Sequence, residues 1–139
     1  MTEALKFHHI GFAVRDLDAT ASLYENGGYR RSAVVFDPIQ HVNVCWLTRE
    51  GAPIIELLAA ADEDSPVNSI LEKVGVSPYH CCYVVDRLED AVEALRKQKY
   101  TLVKRAAEAV AFNGSRVCFL FNRNIGLIEL VEAPAEIVL

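Results

Sequence analysis

The chain has 139 residues, 52% of them apolar, and a formal net charge of −5. That is enough apolar material for one compact core over residues 1–139 without a staple, and its interspersed acids and bases argue against nucleic-acid or membrane-surface partners. No apolar run approaches the roughly 20 residues a membrane span needs, and the Met1-to-Lys6 segment lacks a signal peptide's apolar stretch, so a cytoplasmic location is expected.

Phe7 to Val14 reads as a strand, and Asp16 is placed to cap a helix from Leu17 to Glu25 that Asn26-Gly27-Gly28 ends. Three strands follow, Arg31 to Phe36, His41 to Leu47 and Pro53 to Ala59, separated by Asp37-Pro38 and by Arg49-Glu50-Gly51. The acidic stretch Asp62-Glu63-Asp64-Ser65-Pro66 leads into a short amphipathic helix over Val67 to Val74 that closes near Gly75. The first order then returns: strand Tyr79 to Val85, helix Leu88 to Gln98, and strands Thr101 to Arg105, Arg116 to Phe121 and Gly126 to Glu132. The tail Ala133-Pro134-Ala135-Glu136 is expected to fray. These elements give an α+β class with two βαβββ modules, about 7–60 and about 79–132, joined by a connector helix at about 64–76.

The two modules repeat one phrase. His9-Ile10-Gly11-Phe12-Ala13-Val14 matches His80-Cys81-Cys82-Tyr83-Val84-Val85 at an offset of 71, and Ile54-Ile55-Glu56-Leu57-Leu58 matches Leu127-Ile128-Glu129-Leu130-Val131 at an offset of 73. Strand alternation puts His9, Gly11 and Ala13 on one face, and His80 with Cys82 on the matching face, among small side chains that leave room for a ligand. Glu56 and Glu129 fall mid-strand between apolar residues, where a lone carboxylate loses several kcal/mol of hydration unless a cation meets it. Two imidazoles and two carboxylates suit one divalent ion, whether Zn, Mn, Co, Ni or Fe(II). Taken singly, a strand His or Glu is more often structural. Recurrence of all four at equivalent places makes His9, Glu56, His80 and Glu129 the candidate metal ligands. His8 and His41 have no counterpart in the other module and receive no role. Cys45, Cys81, Cys82 and Cys118 lie within strand-like runs rather than at CxxC spacing, so they read as reduced thiols in the interior.

With these residues in hand, the chain from Phe7 to Glu132 resembles the vicinal oxygen chelate superfamily. Members of that group curl two such modules into a half-barrel cup, with one His and one Glu or Gln from each holding the metal. The segments Glu56-Leu57-Leu58, Asp64-Ser65-Pro66-Val67, Leu71-Glu72-Lys73, Asn113-Gly114-Ser115-Arg116-Val117 and Ile128-Glu129-Leu130-Val131-Glu132 most resemble methylmalonyl-CoA epimerases.

The resemblance implies a metal-dependent isomerase that removes the proton alpha to a thioester carbonyl, with an acyl-CoA or other thioester as substrate and a homodimer as the assembly. Glu129 is then the candidate base, with Glu56 able to work from the other side. Some related epimerases carry an acid four places after a Gln, whereas here Gln40 is followed at that place by Val44, which cannot transfer a proton. The stretch Ala107-Glu108-Ala109-Val110-Ala111-Phe112 stands where epimerases have a glycine-rich turn, and Phe121-Asn122-Arg123-Asn124 replaces a His-Pro-Lys-like turn. Arg30, Arg31, Lys104, Arg105, Arg116 and Arg123 are available for phosphate contacts, although scattered basic residues are more often a solvated face. Two alternatives stay open: glyoxalase I chemistry on a glutathione hemithioacetal, and a non-catalytic small-molecule binding or accessory protein. An extradiol dioxygenase fits less well, since those sites use two His and one Glu in longer chains.

Overall fold

Side chains that alternate along a strand sort its apolar residues onto two faces, and this fold covers both. The computed structural model describes residues 4–139. Its elements run β1 (Lys6–Ala13), α1 (Leu17–Asn26), β2 (Arg30–Arg31), β3 (Val35–Asp37), β4 (Val42–Thr48), β5 (Ile54–Ala60), α2 (Val67–Lys73), β6 (Ser77–Val85), α3 (Leu88–Lys97), β7 (Thr101–Glu108), a 3-10 turn (Val110–Phe112), β8 (Arg116–Asn122) and β9 (Gly126–Glu132). The nine strands form one open sheet in the order β2-β4-β5-β1-β6-β9-β8-β7, with β3 also pairing β4. This is the vicinal oxygen chelate arrangement of two βαβββ units.

The opening strands of the two repeats, β1 and β6, lie antiparallel at the centre of the sheet. Each carries the last strand of its own repeat parallel on its outer side, β5 on β1 and β9 on β6. The inner face buries Ala13, Val44, Trp46, Leu58, Cys82, Val117 and Val131 in one cluster drawn from both repeats. The outer face has two clusters, Val14, Leu47 and Leu57 with Leu17 and Ala21 of α1, and Val85, Leu120 and Leu130 with Leu88 and Leu95 of α3. No described helix is long and apolar enough to cross a membrane.

Three local features depart from the sequence reading. The strand expected over Arg31 to Phe36 splits into β2 and β3, because Ser32 makes its own ladder contacts: its N–H donates to the Trp46 carbonyl (2.9 Å) while its Oγ accepts the Trp46 N–H (2.8 Å). The strand after α3 runs on to Glu108 through two register shifts against β8. The tail is held down rather than frayed. Ala133 and Val138 donate backbone hydrogen bonds to the Val85 and Ala111 carbonyls, and Ala135 is buried on the inner face.

The two long helices are capped by different means. Asp16 accepts the Ala19 N–H at 2.9 Å, a local N-cap for α1. At α3 the preceding Arg87 makes no side-chain cap bond. Glu132, from the end of β9, accepts the Leu88 N–H instead (3.0 Å) and also binds Arg116 (2.8 Å), whose other arm forks onto Glu89. Arg116 holds the carboxyls of Glu89, at about 2, and of Glu132 below the usual range. Glu132→Ala is therefore expected to lower stability by about 1–2 kcal/mol in denaturant unfolding at pH 7. Because the folded pKa is depressed, that contribution is complete above the unfolded value near 4.3 and fades as pH falls through the folded one, so parent and variant should converge in acid.

Candidate metal centre

Strand register determines how His9, Glu56, His80 and Glu129 meet. Gly11 of β1 stands opposite both Glu56 on β5 and His80 on β6, and Cys82 of β6 stands opposite both His9 on β1 and Glu129 on β9. Each module thus sets a small residue between the His of the other module and its own Glu. At Gly11 the lack of a side chain is a requirement. A Cβ built there would lie 2.6 Å from His80 Nε2 and 2.7 Å from its Nδ1, so the space left by this glycine is taken by the imidazole itself.

All four side chains are buried, with residue exposures between 0% and 4%. His9 Nε2 lies 3.1 Å from Glu56 Oε1, 3.3 Å from His80 Nε2 and 3.4 Å from Glu129 Oε1; His80 Nε2 lies 3.4 Å from each of the same carboxylate oxygens. Atoms sharing one ion at about 2.0–2.2 Å stand about 2.8–3.6 Å apart at right-angled or tetrahedral positions. The observed spacings fall in that window.

The electrostatics point the same way. Burial disfavours the charge on each group, but the mutual attractions outweigh it. Glu56 and Glu129 raise His9 above its ordinary value and His80 to about 9, while the two imidazoles lower Glu56 and hold Glu129 at about 2. Charging both rings with protons would aim two N–H groups at each other across 3.3 Å. Glu129 Oε1 has no hydrogen-bond partner among the described residues despite its burial. One divalent cation would satisfy that oxygen, balance both carboxylates and remove the clash, so the donor set fits a metal.

A wall of rings closes the site. Trp46 packs edge-on against His9 (4.9 Å between centroids) and Phe112, and donates its indole N–H to the Ala111 carbonyl at 3.1 Å. Tyr79 and Phe119 pack edge-on against His80 at 4.6 and 5.6 Å. Burial and then the nearby Glu56 and Glu129 push the Tyr79 phenol well above its ordinary value; the Cys82 thiol is pushed up in the same way, with Glu129 ahead of Glu56. Both stay protonated at neutral pH.

The chain is similar to proteins of known family and fold. Residues 8–119 match the family described as the Glyoxalase/Bleomycin resistance protein/Dioxygenase superfamily. The chain belongs to that superfamily. An uncharacterized protein of Bacillus subtilis, YqjC, is 31% identical over 136 residues, 94% of each chain. An ethylmalonyl-CoA/methylmalonyl-CoA epimerase of Cereibacter sphaeroides is 30% identical over 131 residues, 91% of this chain and 97% of its own. A solved methylmalonyl-CoA epimerase in complex with methylmalonyl-CoA and NH4+ has a TM-score of 0.82 at 27% identity, covering 96% of this chain and 99% of that one. Proteins of this superfamily commonly bind a divalent metal, and the buried His/Glu quartet here is suited to one.

The remaining singled-out residues fall elsewhere. Val44 points into the inner core opposite Leu58 and offers no proton. His41 pairs with Asp62 on the surface (3.0 Å). Arg31 and Arg116 are engaged by Asp18 and by Glu89 with Glu132. Two inner-face residues escaped the sequence reading. β1 carries an extra residue between Phe7 and His9, and β6 carries one between Pro78 and His80, and these bulges place His8 and Tyr79 beside the quartet. Strict alternation would send both outward, and nothing in the local sequence marks a bulge.

Gly11→Ala should displace the His80 ring. Cobalt(II) titration of this variant is expected to show affinity weakened by about 10–100-fold, the scale of losing orientation at a metal ligand. Unchanged affinity would mean that the Gly11 gap does not position His80.

Proposed function

We propose that this protein is a metal-dependent epimerase or isomerase that removes the proton alpha to the thioester carbonyl of an acyl-CoA. The observation that carries the reading is the buried quartet, with an unpartnered Glu129 oxygen, in a chain similar over nearly its whole length to acyl-CoA epimerases. His9, Glu56, His80 and Glu129 would hold the ion, which when bound supplies Lewis-acid stabilisation of negative charge developing on the substrate oxygen.

The protein's own groups account for the rest. Glu129 is ionised at neutral pH and serves as the base for the alpha proton. Glu56, from the other repeat, is the second carboxylate of the site and faces the same pair of imidazoles, while Val44 offers no group for proton transfer. Trp46, Phe112, Tyr79 and Phe119 exclude water, which strengthens every charge interaction within. The Val110–Phe112 turn packs on the site through Phe112, and the tail is fastened to it by the bond from Val138 to the Ala111 carbonyl.

Incubation in D2O with a divalent metal and a panel of 2-substituted acyl-CoA thioesters is expected to place deuterium at the alpha carbon, read by mass spectrometry. Glu129→Gln should slow that exchange by about 100-fold or more while the protein stays folded. Full exchange in this variant would remove Glu129 from the mechanism. Turnover of a glutathione hemithioacetal with no exchange into any acyl-CoA would assign the quartet to glyoxalase I chemistry instead.

A further inference from the structure

A neutral imidazole that gives one nitrogen to a metal carries its hydrogen on the other, and the acceptor of that hydrogen determines the ring's orientation. In His9 the nitrogen facing Glu56, His80 and Glu129 is Nε2. Its Nδ1 lies 2.8 Å from Nδ1 of His8. Two ring nitrogens at this distance share one hydrogen, so one must donate and the other accept. If Nε2 of His9 is to offer a lone pair to a cation, the shared hydrogen sits on His9 Nδ1 and His8 Nδ1 accepts it. The His8 hydrogen then sits on Nε2.

We infer that His8 is a positioning residue that accepts the Nδ1–H of His9 and so fixes the tautomer and ring plane of the metal-binding nitrogen. The inference rests on the metal-site reading above. Three further observations support it. The bulge at His8 turns a side chain that would otherwise point outward toward its neighbour. Edge-on contacts to Phe112 (5.0 Å) and Trp46 (6.0 Å) hold the His8 ring in place. At the equivalent place in the second repeat stands Tyr79, and His80 Nδ1 is buried without a hydrogen-bond partner among the described residues. His80 is thus oriented by the Gly11 gap and its ring contacts, whereas His9 has an acceptor built for it.

The test separates acceptor from packing. His8→Phe keeps an aromatic ring and removes the acceptor; His8→Asp keeps an acceptor and removes the ring. Cobalt(II) affinity by chelator competition, together with the cobalt visible spectrum, is the readout, with circular dichroism as the check on folding. Expected are an affinity about 10–100-fold weaker and an altered spectrum for His8→Phe, and a near-parental affinity and spectrum for His8→Asp. Parental binding by the Phe variant, or equal weakening in both variants, overturns the inference and leaves the metal site standing. A parent protein that takes up no cobalt overturns the metal reading and this inference with it.

Discussion

Two carboxylates buried within 3.1–3.4 Å of the same pair of imidazoles are the constraint around which this protein is organised. Neither glutamate would be tolerated alone, since an uncompensated interior carboxylate costs several kcal/mol. The imidazoles relieve part of that cost, at the price of facing one another. Small residues at Gly11 and Cys82 let the four side chains converge, and the surrounding rings keep water from relieving the strain by solvation. Where the backbone could have been padded with larger side chains, as β4 is with Trp46, it is stripped at the two positions between each His and the opposite module's Glu.

That convergence is a property of the sheet rather than of any loop. Parallel pairing of the first and last strands within each repeat brings one His next to one Glu, and the antiparallel seam between β1 and β6 then sets the two pairs face to face. A site carried on four adjacent strands is rigid. The 3-10 turn and the tail are fastened to each other on the inner face, where Val138 donates to the Ala111 carbonyl and Ala135 is buried with Ala111 and Phe112.

Much of this was legible before any coordinates. The recurrence of His-x-Gly/Cys and of the apolar-Glu-apolar phrase singled out all four side chains, and period-two alternation put Cys82 with His80. The features that were not legible share one physical origin. Bulges at His8 and Tyr79, the Ser32 interruption and the register shifts in β7 are decided by pairing between distant strands, so no local pattern announces them. The tail reads as frayed because its sequence is short and rich in Ala and Pro; it is ordered because the inner face offers Ala111 and Val85 as hydrogen-bond acceptors that only the folded chain brings within reach.

The central claim is that His9, Glu56, His80 and Glu129 grip one shared ion. Crystals grown with cobalt(II) and measured at its absorption edge test it most directly. The account predicts one strong anomalous peak per chain, within about 2.0–2.3 Å of a donor atom from each of the four side chains. A peak at any other place, or an empty quartet in a crystal whose cobalt is bound elsewhere, would contradict it.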